Sequence, residues 1–382
     1  MGRGALVAAL LAACGRIGFD ATGLVGDAGG DGSIPSIAFA SFGLGARHAC
    51  ALDTSGAIYC WGDNRFDQAV DAPSVGSIAV PTRMGTGTWS ALAVGGEHAC
   101  AIAGGAVSCW GRNSEGEATG APGGSVLGPQ PVMMAPATTP PAFAQVAAGG
   151  EASCAVGAGQ LWCWGVSAAI GDGGAGNPYA SQIDPAITDW KEVSLGLDYG
   201  CAISASQGVL CWGHNNRHQA VPASGLPTVT APTAVNISGG AVPLHVFAKN
   251  SLTCAVMGTS ATATAGELWC WGAYSPGDFV VPTQLGADSL WTWASPDGGS
   301  PCGVHAGQAE CWASTAWASS ATATGRVRRS LPSGPPPRSG LRSRSSVRAR
   351  RSTATRPRSR ACSTARSCRA GATTRTASSG RG

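Results

Sequence analysis

A repeated pair of cysteines is the feature that most limits what this chain can fold into. Each unit runs from Cys-Ala or Cys-Gly through a short Gly-bearing stretch to a second Cys followed by Trp, and this second Cys falls at positions 60, 109, 163, 211, 270 and 311. The six units recur at a mean spacing of about 50 residues, and a fixed period of this length is typical of propellers and solenoids. Gly follows Cys-Trp in the first five units, and Ala313 replaces it in the sixth.

Each unit has the pattern of a β-hairpin. Apolar segments flank a short turn such as Asp-Thr-Ser-Gly at residues 53–56, as a two-stranded hairpin requires. Pro-rich stretches and a further apolar segment ending in Gly separate the hairpins. About four short strands per unit predict an all-β chain, and specifically a β-propeller with six recognisable blades of about 50 residues over residues 39–312.

The paired cysteines are expected to form structural disulfides. Within a hairpin, separations of 9 to 16 residues place the two cysteines on adjacent strands, within reach of each other. The predicted pairs are Cys50–Cys60, Cys100–Cys109, Cys154–Cys163, Cys201–Cys211, Cys254–Cys270 and Cys302–Cys311. Metal binding is the alternative, but it favours CxxC motifs or clustered His, and the sequence contains no CxxC. Six equivalent pairs also argue against a catalytic thiol.

The N-terminus predicts export and a lipid anchor. Arg3 precedes a nine-residue apolar run, which is too short to span a bilayer as a mature helix and is typical of a cleaved signal peptide. The order Leu-Ala-Ala-Cys ending at Cys14 resembles a bacterial lipobox, and a chance Cys in an ordinary signal peptide is the alternative. We therefore expect a signal peptide at residues 1–13, a lipid on Cys14, a Gly/Asp/Ser-rich tether at 14–38, and a location in the bacterial cell envelope, at the outer membrane.

The repeat also resembles a known family. The segments at residues 48–64, 98–113, 152–167 and 199–215 follow Gly-x-x-His-x-Cys-Ala and Cys-Trp-Gly-x-Asn, with substitutions at several positions. This pattern is similar to the repeat of the regulator of chromosome condensation family, in the cysteine-bearing form of exported bacterial proteins. The resemblance spans residues 40–312 and implies a propeller, typically of seven blades, in which the His and Trp positions mostly pack the blades.

No catalytic arrangement stands out in the sequence. His48 and His98 occupy a repeated slot that Ala152, Tyr199 and Leu252 fill in the next three units, so this slot is interpreted as packing. The other four His have no Ser or Asp partner in a recognisable pattern, and neither a metal nor a cofactor motif is found. We therefore expect no enzyme, no cofactor and no metal.

The function expected from the sequence is binding. Eukaryotic members of the family act as guanine-nucleotide exchange factors or bind chromatin, but no exchange-active loop can be matched onto this chain. The leading hypothesis is a membrane-anchored propeller that binds a protein or glycan at the envelope, and a structural scaffold without a specific ligand is the alternative. The candidate ligand contacts in the loops are Arg65, Phe66, Arg112, Arg217 and Tyr274.

The C-terminal stretch differs in composition from the rest. Residues 313–382 hold 16 Arg and no acid, whereas residues 1–312 hold 9 Lys and Arg and all 21 Asp and Glu, so this part is 9 − 21 = −12. Such a tail is expected to be disordered, and by charge alone it would bind nucleic acid. However, read one base out of frame, residues 315–324 permit Gly-Val-Gly-Gln-Leu-Gly-Asp-Gly, and residues 369–374 permit Cys-Trp-Gly-Asp-Asn. We therefore hypothesise a frameshift just after Trp312 that removed a seventh blade, and we expect no nucleic-acid partner.

Overall fold

The structure, a computed structural model, describes residues 38–311 apart from 73–75, 137, 174–178, 238–240, 275–276 and 298–300. Cys14, almost all of the predicted tether, and the tail 313–382 lie outside the described residues. Within them, 23 β-strands form six antiparallel sheets whose strands follow one another in chain order. The prediction of an all-β propeller with six recognisable blades is confirmed.

The blades consist of four strands each, except the sixth, which has three in the described residues. Blade 1 contains β1 (Phe39–Leu44), β2 (His48–Asp53), β3 (Ile58–Asp63) and β4 (Ser77–Met84); blade 2 contains β5 (Ala91–Val94), β6 (His98–Ala103), β7 (Ala106–Gly111) and β8 (Val126–Pro131). Blade 3 contains β9 (Gln145–Ala148), β10 (Ala152–Gly157), β11 (Gln160–Gly165), the helical turn α1 (Ser167–Ile170) and β12 (Ser181–Ile183). Blade 4 contains β13 (Trp190–Leu195), β14 (Tyr199–Ser204), β15 (Gly208–His214) and β16 (Thr228–Ala234). Blade 5 contains β17 (Val242–Lys249), β18 (Leu252–Gly258), β19 (Glu267–Gly272) and β20 (Phe279–Leu285), and blade 6 contains β21 (Trp291–Ser295), β22 (Cys302–His305) and β23 (Gln308–Cys311).

The cysteine hairpins are the second and third strands of each blade. In every blade the two cysteines are direct cross-strand partners, as in the Cys50–Cys60 and Cys302–Cys311 pairs. Six disulfides join the pairs that the spacing predicts, with Cα atoms 4.0–4.1 Å apart. A disulfide therefore joins the second and third strands of each blade.

The order of strands from the axis outwards follows from the contacts between blades. The first strand of each blade contacts the first strand of the next, from β1 with β5 through to β17 with β21, so these strands lie innermost. The fourth strands form the outer edge, where Pro81 and Val80 occupy a largely exposed strand. Proline suits such an edge because it has no N–H to donate to a further strand.

Five clusters of buried apolar residues lie between consecutive blades, from the interface of blades 1 and 2 to that of blades 5 and 6. The Cys-Trp-Gly tryptophans Trp110, Trp164, Trp212 and Trp271 are fully buried in these cores. Burial of a side chain of this size contributes on the order of 3 kcal/mol. The core of the molecule is thus divided among the blade interfaces.

The Gly after Cys-Trp is required by the backbone at this point. All five such glycines have φ between 100° and 106°, a region that side chains other than glycine rarely adopt. A Cβ on Gly165 would also lie 2.4 Å from the Glu151 carbonyl oxygen. The strand can therefore turn into its loop only with glycine at this position.

Candidate functional site on the loop face

One face of the propeller carries the loops in which the candidate contacts lie. In an antiparallel meander, the turn between the first and second strands and the loop between the third and fourth strands emerge at the same end of the sheet. Main-chain bonds join the two, since Asp63 N donates to Arg47 O at 2.8 Å and Arg112 N donates to Glu97 O at 2.9 Å. We call this end of all six blades the loop face.

A buried asparagine organises three of the longer loops. Asn64 Oδ1 accepts hydrogen bonds from the main-chain nitrogens of Ala69 and Val70, at 2.7 and 3.1 Å. Asn113 and Asn215 make the equivalent pairs of bonds in blades 2 and 4. Because a buried amide with four hydrogen-bonding sites fixes several main-chain groups at once, these loops have a defined shape.

A second polar residue, four positions later, completes the same loops. The side-chain oxygen of Gln68 accepts from Phe66 N at 2.8 Å, and Gln219 accepts from Arg217 N at 2.8 Å. In blade 2 the residue is Glu117, whose Oε2 accepts from Glu115 N at 2.7 Å. The sequence contains Asn followed four positions later by Gln or Glu in three of the units. This repeated spacing could have indicated that these residues support the loops, but no such role was predicted.

Each loop is also bound to the next blade. The indole nitrogens of the buried tryptophans donate to loop carbonyls of the preceding blade, from Trp110 to Gln68 at 3.1 Å, Trp164 to Glu117 at 3.0 Å, Trp212 to Ala169 at 2.9 Å and Trp271 to Ala220 at 3.2 Å. The loop face is therefore a rigid surface, and one such tryptophan bond supports it at each of the first four interfaces.

Two of the predicted contacts, Arg65 and Phe66, lie together on blade 1. Arg65 donates to both carboxylate oxygens of Asp63, with contacts of 2.6–3.0 Å, and its guanidinium carbon lies 5.9 Å from the centre of the Phe66 ring. The bonds from Arg65 lower the pKa of the Asp63 carboxyl below its usual value. Arg65 remains about half exposed, so the pair presents an apolar ring beside a cation to solvent.

Arg112 has a different setting, since it lies at the junction of blades 2 and 3. Its Nη1 contacts Glu151 at 2.7 Å and Glu97 at 3.6 Å, and its Nε lies 3.7 Å from Glu117. The Glu117 side chain is buried, and this burial raises its pKa above the usual value. Arg112 therefore neutralises part of an acidic group between blades, and about a quarter of its side chain stays exposed.

The remaining two predicted contacts, Arg217 and Tyr274, lie on blades 4 and 5. Arg217 forms a bidentate pair with Asp278 of blade 5, at 2.5 and 2.6 Å, and stays about half exposed. Tyr274 stacks on Phe279 with ring centres 4.8 Å apart, and burial raises the pKa of its phenol. The structure thus places all five predicted contacts on the loop face, spread over four blades.

Two exposed apolar side chains on this face were not among the predicted contacts. Leu197, in the turn between β13 and β14, is 56% exposed, and Leu226, in the loop before β16, is 55% exposed. Glu97, Glu151 and Asp198 occupy equivalent turns in blades 2, 3 and 4. The face therefore combines acidic turns with isolated apolar side chains.

His98 and Ser153 lie close together but do not have the setting of a catalytic pair. His98 Nε2 and Ser153 Oγ lie 2.8 Å apart, but both side chains are fully buried and Ser153 donates to Glu117 O. Burial lowers the pKa of His98 to about 3, which makes it a poor general base at neutral pH. No group of three or more His, Cys, Asp or Glu is placed to hold a metal ion in the part of the chain that the structure describes.

The described residues also contain no helix that is long and apolar enough to cross a membrane.

Comparison with known proteins supports the fold. Residues 39–68 match the family model of the regulator of chromosome condensation (RCC1) repeat. No curated protein matches the sequence significantly. Among solved structures, yeast RCC1 (Prp20) bound to Kap60 has 17% identity and a TM-score of 0.60 over 72% of this chain and 70% of that chain.

Two further structures are similar to the same degree. Prp20p from Saccharomyces cerevisiae, described with its binding to Gsp1p and histones, has 18% identity and a TM-score of 0.60 over 71% of both chains. Human WBSCR16 has 16% identity and a TM-score of 0.58 over 68% of this chain and 69% of that chain. At these identities the likeness concerns the fold. The chain is therefore a β-propeller with six blades in its described residues, and its residues 39–68 match an RCC1 repeat.

Proposed function

We propose that this chain is a non-enzymatic binding module and that its loop face binds a protein with a basic surface. The observation that carries the proposal is the composition of that face, where exposed Leu197 and Leu226 and partly exposed Phe66 lie among acidic turns on a rigid frame. Apolar anchors surrounded by charge are typical of protein interfaces. The yeast propeller of the same fold has been described with protein partners, which supports a protein as the ligand.

Charge supports the choice of a basic partner. Residues 1–312 carry a net charge of 9 − 21 = −12, and three of the arginines on the loop face are already paired with carboxylates. A negative surface accelerates association with positive partners and disfavours nucleic acid. Binding should therefore weaken as salt is raised.

We further propose that the propeller is held at the bacterial envelope by a lipid on Cys14. The lipobox-like order of residues 11–14 and the six disulfides support export, because such bonds persist outside the cytosol. Cys14→Ser should release the propeller from the membrane fraction after cell lysis while leaving its folding unchanged. Retention of the variant in the membrane fraction would contradict the anchor.

The binding role is tested by affinity capture from solubilised envelopes with two matched variants. Leu226→Glu alters the loop face, and Leu290→Glu alters a leucine that is 50% exposed in the connection at the opposite end of the blades. We expect a stoichiometric protein to be captured by the parent chain and by Leu290→Glu, and to be lost with Leu226→Glu. Capture of nothing would favour a scaffold, and capture of a glycan would overturn the choice of ligand.

A further inference from the structure

The first strands of the blades leave every second side chain accessible to solvent. In blades 4 and 5, Val193 and Val246 are buried in the cores between blades, whereas Glu192 and His245 beside them remain accessible. Successive side chains of a strand point to opposite faces. Because the first strands lie innermost in the propeller, the accessible set forms the surface around the axis.

The side chains on this axial surface differ in size from blade to blade. The strand register identifies their positions, since one pairs with the first cysteine of the hairpin and the other lies two residues earlier. In blades 1 and 2 these positions hold Ser41, Gly43, Ala91 and Ala93. In blades 4 to 6 the equivalent positions include Glu192, His245, Phe247 and Trp293. Bulky side chains therefore gather on one side of the axis, opposite small ones.

The four bulky side chains contact one another in a row across three blades. His245 Nδ1 donates a hydrogen bond to Glu192 Oε2 at 2.9 Å. The rings of His245 and Phe247 have centres 6.1 Å apart, and Phe247 meets Trp293 edge to face with ring centres 5.9 Å apart. We call Glu192, His245, Phe247 and Trp293 the axial cluster. Its members belong to the first strands of blades 4, 5 and 6, so the packing of the blades fixes their relative positions.

The axial cluster presents an aromatic surface to solvent. Trp293 is 37% exposed, and among the exposed large apolar side chains in the part of the chain that the structure describes it is the aromatic one. About half of the His245 side chain is exposed as well. An indole can bury on the order of 150–250 Å² against a partner, and aromatic side chains dominate the energetics of interfaces. The exposed indole therefore offers a flat apolar surface onto which a ligand can pack.

The polar groups of the axial cluster are not equally available to a ligand. Glu192 uses both carboxylate oxygens, since Oε2 accepts from His245 Nδ1 and Oε1 accepts from Val246 N, each at 2.9 Å. Because Nδ1 of His245 is bonded to this carboxylate, Nε2 is the ring nitrogen that remains for a ligand. The cluster thus combines an aromatic surface with one oriented hydrogen-bonding group, which is the usual composition of a small-molecule site.

The charge around the axial cluster favours a neutral ligand. The first strands of blades 4 to 6 contain the charged residues Lys191, Glu192 and Lys249, and the carboxylate is already paired with His245. An organic cation binds aromatic rings, but here it would meet no unpaired negative charge on these strands. A pyranose ring suits the cluster better, because its C–H groups pack on the negative face of an indole and its hydroxyls bond to an imidazole.

We propose that the axial cluster is a saccharide-binding site, in which a pyranose ring packs on Trp293 and Phe247 and one of its hydroxyls bonds to His245 Nε2. Glu192 is a positioning residue, since it orients the imidazole through Nδ1. The site is distinct from the loop face, and it does not depend on whether that face binds a protein.

The first experiment asks whether the purified chain binds saccharides at all. The probe is a glycan array of β-glucan, mannan, galactan and N-acetylhexosamine oligomers, followed by titration calorimetry with the oligomer that binds best. We expect saturable binding of at least one oligomer. Failure of every oligomer to bind, or tighter binding of tetramethylammonium than of the best oligomer, would overturn a saccharide as the ligand.

The second experiment locates the binding with variants of the axial cluster. Trp293→Ala should weaken the affinity for the selected oligomer about tenfold, because the indole supplies the packing surface. His245→Phe keeps a ring of similar shape but lacks Nε2, and it should weaken the affinity about three- to tenfold. This variant keeps the test valid if Trp293→Ala does not fold, which the unfolding midpoint of each variant reveals.

Two control variants should bind the oligomer as the parent chain does. Trp269→Ala removes a partly exposed tryptophan from the third strand of blade 5, and Leu226→Glu alters the loop face. A saccharide that the axial variants lose and both controls retain is bound at the axial cluster. Parental affinity in folded Trp293→Ala and His245→Phe, or loss of the oligomer with Leu226→Glu, would refute the axial site.

Discussion

At the scale of single residues, two equivalent histidines differ in their hydrogen bonds. His98 Nε2 is 2.8 Å from Ser153 Oγ, and this hydroxyl donates its hydrogen to Glu117 O. Since the serine has one hydrogen, His98 must donate through Nε2. His48 occupies the same slot in blade 1, but Ala99 stands where the serine would be, and both of its buried ring nitrogens lack a partner.

This difference predicts that Ala99→Ser stabilises the protein. The new hydroxyl would bridge His48 and Gln68 O, which already accepts from Trp110, just as Ser153 bridges His98 and Glu117 O. A hydrogen bond contributes about 1 kcal/mol net to the free energy of unfolding, and a bond to a buried ring nitrogen that has no other partner contributes somewhat more. Equilibrium unfolding in guanidinium measures the increase in the free energy of unfolding. The matched variant Ser153→Ala removes the equivalent hydroxyl beside His98 and should lower that free energy by about 1–3 kcal/mol. A destabilised Ala99→Ser would indicate that the blade 1 interface has no room for the hydroxyl.

The same two histidines predict a dependence of stability on pH. Burial lowers the pKa of His48 to about 4, opposed in part by Asp63, and lowers that of His98 to about 3. Both values lie below the unfolded value of about 6.5, so the unfolded chain takes up protons first as the pH falls. The contribution of the neutral histidines is complete above pH 6.5 and is lost as the pH falls towards 4.

We expect the free energy of unfolding to decrease by up to about 2–3 kcal/mol per pH unit between about pH 6 and 4.5 from these two groups. The double variant His48→Leu/His98→Leu, which uses the residue that Leu252 provides in blade 5, should flatten this part of the profile. His245→Gln is the control: its bond to Glu192 raises the pKa of His245, so its contribution is present at low pH and is lost as the pH rises. An unchanged slope in the double variant would mean that the folded histidines are protonated.

At the scale of structural elements, the sequence allowed the hairpins to be predicted, but not the contacts between one blade and the next. The cysteine spacing and the turn residues of a segment such as 50–60 are local signals, so the sequence suffices for the strands and the disulfides. Arg217 and Asp278 are 61 positions apart, and no periodic pattern links them. The pairing of loop residues between blades follows from the packing of sheets, which a single sequence does not show.

Arg112 illustrates this limit. Its position after Cys-Trp-Gly predicts an exposed loop residue, whereas the structure places it among Glu97, Glu117 and Glu151 at a blade junction. Blades 1 and 4 have Gln where blade 2 has Glu117, and they have Asp63 and His214 in place of the arginine. The buried acid and the arginine therefore occur together in blade 2, and blades 1 and 4 have neither of them.

A double-mutant cycle tests whether the two depend on each other. Arg112→Ala leaves the buried Glu117 carboxylate without its cation, and removal of one partner of a buried pair costs about 3–5 kcal/mol. A smaller loss of about 1–3 kcal/mol is expected here because Arg112 is partly exposed. Glu117→Gln alone should be nearly neutral, and Arg112→Ala/Glu117→Gln should recover more than half of the loss in thermal or chemical unfolding. Additive effects would show that Arg112 acts only through Glu151 and Glu97.

At the scale of the whole molecule, the blades are not equally protected by their neighbours. The sequence predicts six equivalent hairpins because each carries the same motif, and nothing in the motif itself indicates which cysteine pair is partly exposed. Exposure depends on what lies beside a blade, and this becomes visible only when the sheets are packed. Cys302 and Cys311 are the clearest case, since they are the cysteines of the described residues that solvent reaches.

This inequality predicts an order of reduction for the six disulfides. Thiol–disulfide exchange requires that the attacking thiolate reach a sulfur atom, so access controls the rate under native conditions. Cys302–Cys311 should be reduced by low concentrations of a thiol reductant before the five buried disulfides, whose opening needs local or global unfolding. Alkylation with a labelled reagent and peptide mapping by mass spectrometry give the order, with Cys154–Cys163 as the buried control. If both bonds are reduced at the same rate, the partial exposure of Cys302 and Cys311 does not give the thiolate access to their sulfur atoms.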